Sequence, residues 1–255
     1  MKLKEFEEIL NPLCWKNVFN IFVENCQRYD DYVECIGFSY SINPRLSFFM
    51  SNKSNLFTKE KARAIYNWYK GKDSRDHSIE QWFEEYKHCT DENHPDFNSN
   101  YGLYAYSENG LDKCIERLAK NDMTRQAMFC INNNEAMSDK SIDKLCTNTI
   151  HFFIRDNRLM MLVNMRASNF ITLLPYDSFM FCYWYFYVYN KLIHEHGMTD
   201  LELYYIDINA ATIHFYDRNL EKIEETERDN SIFKLFDDYK DKDFLEKFEQ
   251  KLNLN

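Results

Sequence analysis

Residues 179–189 are the most apolar stretch of the chain: Phe179, Met180, Phe181, Cys182, Tyr183, Trp184, Tyr185, Phe186, Tyr187, Val188 and Tyr189. Pro175 stands just ahead of them. Proline is accepted in the first turn of a helix, where its missing N–H costs nothing, and not in the interior. The pattern therefore predicts a long aromatic helix over 176–195. Large apolar side chains on every face leave such a helix no side for water, so it has to be buried. It is too short to cross a bilayer, and it is full of Tyr and Trp. The rest of the chain must wrap around it.

The wrapping material is mostly strand. Alternating, β-rich runs predict strands over 126–131, 148–155 and 159–166, with Asp156-Asn157 as a tight turn between the last two. A further strand is predicted over 201–208, and an early one over 32–42 that ends at Asn43-Pro44. Helices are predicted over the first thirty residues, with apolar positions at Leu13, Val18, Phe19, Phe22 and Val23. Others are expected over 58–70 with Thr58 as N-cap, over 78–86 with Ser78 as cap, and over 111–118. Residues 88–100 read as loop, a short helix is expected near Ile213, and an acidic-basic helix closes the chain. The order is α+β: helices first, then a sheet interrupted by one long buried helix. With 255 residues and 45% hydrophobic content, one large domain over 1–255 is the expectation.

Charge and cysteine usage narrow the function. A net charge of -10 argues against a binder of nucleic acid polymers, which needs clustered Lys and Arg, and leaves room for a single phosphate in a local basic pocket. The eight cysteines are scattered with no CxxC pair, which suits a reducing cytoplasm. The opening residues carry acids early and no long apolar run, so no signal peptide or membrane association is expected. His88, Cys89, Asp91, Glu92 and His94 form one metal candidate and His194 and His196 another. Neither has a clean ligand spacing, so no metal is expected.

The chemistry centres on Cys146, in the string Lys144-Leu145-Cys146-Thr147-Asn148-Thr149. A lone cysteine is ordinarily a small buried hydrophobe. This one opens a strand after a polar loop, where solvent and substrate reach a thiol, and a nearby cation favours thiolate. Arg166 closes the next strand of the same hairpin and is expected beside it, and Asp177 follows Pro175. Thiol, guanidinium and carboxylate are the parts needed to attack a pyrimidine nucleotide, hold its phosphate and read its base.

The strings Asn98-Ser99-Asn100-Tyr101-Gly102, Thr124-Arg125-Gln126-Ala127, Leu145-Cys146-Thr147-Asn148-Thr149, Ile154-Arg155-Asp156, Asn164-Met165-Arg166 and Ile213-His214-Phe215-Tyr216 occur in this order. Weaker matches are Glu34-Cys35-Ile36-Gly37 and Trp68-Tyr69-Lys70. Together, from about residue 34 to 220, the chain resembles the thymidylate synthases and, more strongly, the deoxycytidylate hydroxymethylases of large tailed phages. The resemblance implies a thymidylate synthase-like fold with a large mixed sheet. It implies a homodimer with a shared active site, a pyrimidine nucleoside monophosphate as substrate and 5,10-methylenetetrahydrofolate as one-carbon donor. It also implies a virus-encoded enzyme acting in a host cytoplasm. Cys146 takes the role of the nucleophile that adds to ring carbon 6, and Tyr101 that of a tyrosine in the catalytic hydrogen-bond network. Arg166, with Arg125 from the partner subunit, takes the phosphate. His214 and Tyr216 take the sugar hydroxyl, and the positions of Trp82 and Asn169 fall to the cofactor.

Asp177 is the base reader on this reading. Thymidylate synthases carry Asn there, and the hydroxymethylases Asp. An Asn amide complements the N–H and carbonyl of uracil, whereas a carboxyl group accepts from the cytosine amino group and, when protonated, donates to the ring nitrogen. As an early helix residue, Asp177 is also favoured by the helix dipole. Carbon-5 hydroxymethylation of dCMP or CMP is the expectation.

The chain departs from the family at several positions. The family's catalytic Glu is Ile65, with Glu60 about one turn away. Gln126 and Ala167 replace an Arg and a Ser of the phosphate site, with Arg45 as a candidate substitute. The family's pterin-binding Asp is Asn169, the Gly of the floor is Leu173, and residues 251–255 do not resemble the tail that closes over folate. Two alternatives stay open: a divergent relative with another donor or another pyrimidine nucleotide, and an inactive nucleotide- or partner-binding protein.

Overall fold

A computed structural model of the chain describes residues 22, 24–44, 58–132, 137, 138, 141–218 and 234–253. Most of the helix expected in the first thirty residues, and Arg45, lie outside the described residues.

Among the described residues the sheet has seven strands: β1 (Gln27–Arg28), β2 (Tyr32–Ile42), β3 (Met128–Cys130), β4 (Thr147–Arg155), β5 (Arg158–Met165), β6 (Ser168–Asn169) and β7 (Glu202–Tyr216). Their order is β1-β2-β7-β5-β4-β3, with β6 paired to β7. β5 and β6 run parallel to β7, and the remaining pairs are antiparallel, so the sheet is mixed. Asp156 and Asn157 have φ of 51° and 57°, the two left-handed residues that a tight β4–β5 hairpin turn requires, and Asp and Asn adopt that conformation more readily than most residues.

One face of the sheet is the core face. Ile150, Phe152 and Ile154 of β4, Leu159, Met161, Val163 and Met165 of β5, and Ile206 and Ile208 of β7 are buried on it. The aromatic helix α3 (Leu174–Glu195) supplies much of the remaining core, with Phe179, Phe181, Tyr183, Trp184 and Tyr185 all almost fully buried. Buried hydroxyls of the helix find partners: Tyr185 Oη donates to Leu159 O at 2.6 Å and Tyr189 Oη to Leu201 O at 3.0 Å. Among the described residues no helix is long and apolar enough to cross a membrane.

Two other helices complete the surroundings of the site, α1 (Lys59–Gly71) and α2 (Gly110–Lys120). Thr58 caps α1 by accepting the Lys61 N–H at 3.3 Å. Replacing Thr58 with Ala is expected to cost about 1 kcal/mol in urea unfolding, since one orphan donor of the first turn loses its partner. A last helix, α4 (Phe244–Asn253), buries Phe244, Phe248 and Leu252, and its Glu249 accepts from Tyr66 Oη of α1.

Two expectations are corrected. The helix expected over 78–86 is two short 3-10 turns, His77–Gln81 and Glu84–His88, and the cap is Asp76, whose carboxylate accepts the Ser78 N–H. Phe83 is extended between them and packs 4.2 Å from the Tyr176 ring, so a tertiary contact interrupts the helix. The short helix near Ile213 is instead the end of β7. Gly37 in β2 has φ of 71°, and the buried positions step there from 33 and 35 to 38. The facing stretch of β7 steps from Ala210 to Ile213, and that three-residue spacing mimics a helical period.

Candidate active site

Cys146 sits in the turn entering β4, immediately before Thr147. Arg166 follows the last residue of β5, and the hairpin brings the two together: the Arg166 N–H donates to Cys146 O at 2.8 Å. The guanidinium folds back over the same turn, with Nε donating to Leu145 O and an Nη to Lys144 O, both at 2.7 Å. The sequence expectation for this pair is met at the level of backbone and side chain alike.

The thiol is half-buried and is not the low-pKa thiolate that a neighbouring cation suggests. Burial pushes it up to about 11, the Arg166 charge works in the opposite direction, and Asp177 and Asp143 add to the rise. Loss of water outweighs one guanidinium because that guanidinium also acts on the Asp143 carboxylate and already serves two carbonyls.

Asp177 lies in the first turn of α3, with its N–H bonded to Leu173 O, so the dipole-favoured position and the site position coincide. Burial pushes its carboxyl up to about 7. Tyr40, Tyr69, Tyr86 and Tyr101 all feel its charge and, with burial, hold their phenols protonated. Tyr101 also feels Cys146, and its hydroxyl accepts the Thr147 N–H at 3.2 Å, next to that cysteine. Tyr101 stacks on Tyr69 of α1 at 5.6 Å. Gly102 makes that stack possible, because a Cβ there would lie 1.7 Å from Tyr69 O. Asn100 fastens the same contact by donating to Trp68 O and Asp73 O at 3.0 and 3.1 Å.

His214 and Tyr216 project from β7 to the same side. His214 pairs in register with Glu34 of β2 and Asn169 of β6. Burial lowers its pKa, Glu34 raises it and Arg166 lowers it, so the ring is predominantly neutral at pH 7 and close enough to sense the guanidinium. The His214 and Tyr216 rings lie 5.4 Å apart, edge to face. Asn169 spends its amide oxygen on the N–H groups of Ile171 and Thr172 at 3.1 and 3.0 Å, which shapes the turn into α3. Ile65 is 1% exposed, buried and apolar in α1. Glu60 is exposed at the start of that helix.

Two of the expected site residues lie at the surface. Arg125 is exposed, and its carbonyl faces the His151 ring at 3.1 Å on the outward side of β4. Trp82 is 37% exposed and ends the first 3-10 turn. Conversely, residues not assigned from sequence belong to the site: Asp143, three positions before the thiol, and the hydroxyls of Tyr40, Tyr69 and Tyr86 around Asp177. Tyr69 lies within a matched string. Tyr40 and Tyr86 carry no local signal, because only tertiary packing brings them there; Asp143 is near in sequence, but its burial and its bond to Ser99 are tertiary. Of the histidines weighed as metal ligands, His94 pairs with Asp91 at 2.9 Å and His194 meets Lys240 O at 2.9 Å. Among the described residues no group of three His, Cys, Asp or Glu is arranged to hold a metal ion.

No family model matches the chain. It is 30% identical over 139 residues to the deoxycytidylate 5-hydroxymethyltransferase of Enterobacteria phage T4, and equally to those of phages T2 and T6. The match takes in 49% of this chain and 53% of each relative, so the chain spans about half the length of the curated relatives it matches. In three dimensions it superposes on thermostable thymidylate synthase A from Bacillus subtilis with a TM-score of 0.59 over 84% of both chains, at 13% identity. The chain thus has the fold of a thymidylate synthase, and over about half its length its sequence is similar to phage deoxycytidylate hydroxymethyltransferases.

Proposed function

We propose that the protein modifies carbon 5 of a cytidine monophosphate, dCMP or CMP, most simply by hydroxymethylation. The observation that carries this reading is the pairing of Cys146 with Asp177 in one half-buried site, the carboxyl titrating near 7. A carboxyl that holds its proton near neutrality accepts from the cytosine amino group and donates to the bare ring nitrogen. As the thiolate bonds to carbon 6, the ring's electron pair moves toward that nitrogen, which takes the Asp177 proton and leaves carbon 5 nucleophilic. Arg166 would turn from the Lys144 and Leu145 carbonyls to the phosphate, where its fork makes two charge-assisted bonds. His214, as a neutral ring, would hold the sugar hydroxyl together with Tyr216.

The proposed donor is 5,10-methylenetetrahydrofolate, which supplies an electrophilic carbon when bound. Trp82, with its partly exposed indole, suits a flat ring system. Asn169 holds a backbone turn with its amide oxygen, so its part would be to shape the floor of the site. A second reading, thiol addition with a different donor or outcome, is favoured by buried Ile65, which neither orders water nor carries a proton where the family has Glu.

A homodimer is proposed as well. The outward face of the hairpin carries half-buried Phe153, Met160 and Leu162 beside His151, an apolar strip on which a second copy fits. Arg125 borders that face through its contact with His151, in keeping with donation of its guanidinium to the partner's phosphate site.

The test is release of tritium from carbon 5 of labelled dCMP, CMP and dUMP, with and without the folate. Folate-dependent release from a cytosine nucleotide, abolished by Cys146→Ala, is expected. Release that ignores folate favours the second reading. Absence of release from all three nucleotides sinks both.

A further inference from the structure

The turn carrying the thiol is held from two directions. From one side the Arg166 guanidinium grips the Lys144 and Leu145 carbonyls. From the other, the Asp143 carboxylate accepts the Ser99 N–H at 2.6 Å, while Asn98 Nδ2 donates to Asp143 O at 3.1 Å and to Ser141 Oγ at 2.5 Å. Ser141 Oγ in turn donates to Asp143 O at 2.9 Å. Asp143 is 5% exposed, a buried carboxylate with no part in the carbon-5 chemistry. The groups facing Cys146 are Arg166 after β5, Asp177 on α3, Tyr101 beside the Thr147 amide, Cys89 from the second 3-10 turn, and Asp143 on its own turn.

We propose that Asp143 is a positioning residue that also acts electrostatically. It ties the Cys146 turn to the Ser99 amide, and its charge, set against that of Arg166, holds back the thiol's reactivity when no nucleotide is bound. The bonds to Ser99 and Asn98 fix where the carboxylate lies. Its charge is among the causes that keep the Cys146 thiol up, and it is the largest charge acting on Cys89, which is pushed up to about 12 mainly by burial. Arg166 lowers the pKa of Asp143 while burial raises it, so the carboxylate feels the same cation that would favour the thiolate. An incoming phosphate would then compete with Asp143 for Arg166.

Asp143→Asn keeps an oxygen for the Ser99 amide and removes the charge, which separates the anchoring role from the electrostatic one. Alkylation by iodoacetamide at pH 8, followed by peptide mass mapping, reads each cysteine separately without requiring any turnover. Below its pKa a thiol gains tenfold in thiolate for each unit the pKa falls, so Cys146 is expected to alkylate about three- to tenfold faster in the variant. Cys89 is expected to accelerate too, while exposed Cys130 keeps its rate. An unchanged Cys146 rate, with the melting temperature also unchanged, overturns the electrostatic role. Equal acceleration of Cys130 overturns it as well, since that reports general loosening. Asp143→Ser, which also offers an oxygen to the amide, serves as a second variant if Asp143→Asn folds poorly, with the same outcomes decisive. If carbon-5 release fails while these rates shift as expected, the proposed reaction falls and the role of Asp143 stands.

Discussion

Asp177→Asn is expected to move substrate preference from dCMP toward dUMP by about tenfold or more in kcat/KM for tritium release, since a mispaired polar edge leaves a buried group without its partner at a cost of about 1–3 kcal/mol. The variant also removes a pH dependence. The Asp177 carboxyl rises from an ordinary 3.8 to about 7 in the folded protein because it is withdrawn from water. A raised carboxyl favours folding most below about 3.8, where it is protonated in both states, and that contribution is lost as pH rises through 7. Asn has no such loss, so the variant's melting temperature is expected to gain on wild type between pH 4 and pH 7 and to hold the gain above. The ratio of wild-type to variant release from dCMP is expected to fall above pH 7, as the wild type loses the proton that Asp177 is proposed to give to the ring. Preference that stays with dCMP, together with parallel pH profiles, would falsify the base-reader role.

Gly102→Ala is expected to destabilise the protein by about 2–4 kcal/mol in urea unfolding, in the range of overpacking at a site that cannot yield. The obstacle is backbone: the new Cβ would sit 1.7 Å from Tyr69 O and 2.5 Å from Tyr69 C. Relief requires α1 to back away from the 100–102 segment. That movement strains the Asn100 bonds to Trp68 and Asp73 and the Tyr69–Tyr101 stack. The damage also reaches the proposed nucleophile, because Tyr101 receives the amide of Thr147, the residue after Cys146. Carbon-5 release is therefore expected to fall even below the unfolding transition. A variant within about 0.5 kcal/mol of wild type, the usual range for a harmless surface change, would show that the approach of these two segments does not matter.

These two positions differ in how they are found. Asp177 is legible from the sequence, because Pro175 and the aromatic run place it in the first turn of a buried helix, and a matched motif series surrounds it. The need for Gly102 is invisible there, since the atom it makes room for belongs to a carbonyl thirty-three residues earlier.

Local pattern determined much of the architecture. The alternation in β4 and β5, the Asp156-Asn157 turn, the Thr58 cap and the all-round apolar α3 each reflect forces acting within a few residues, and each is found where the sequence predicts it. The close approach of Cys146 and Arg166 follows from the same hairpin. Tertiary structure decided what local pattern leaves open. It drew Phe83 onto Tyr176 and divided the helix expected over 78–86, and it carried β7 through Ile213 because β2 pairs with that strand along its length. It also set the character of the thiol. Proximity to Arg166 by itself suggests a ready thiolate, but the side chain's pKa depends on how much water reaches it and on Asp143 and Asp177, and those are properties of the assembled site.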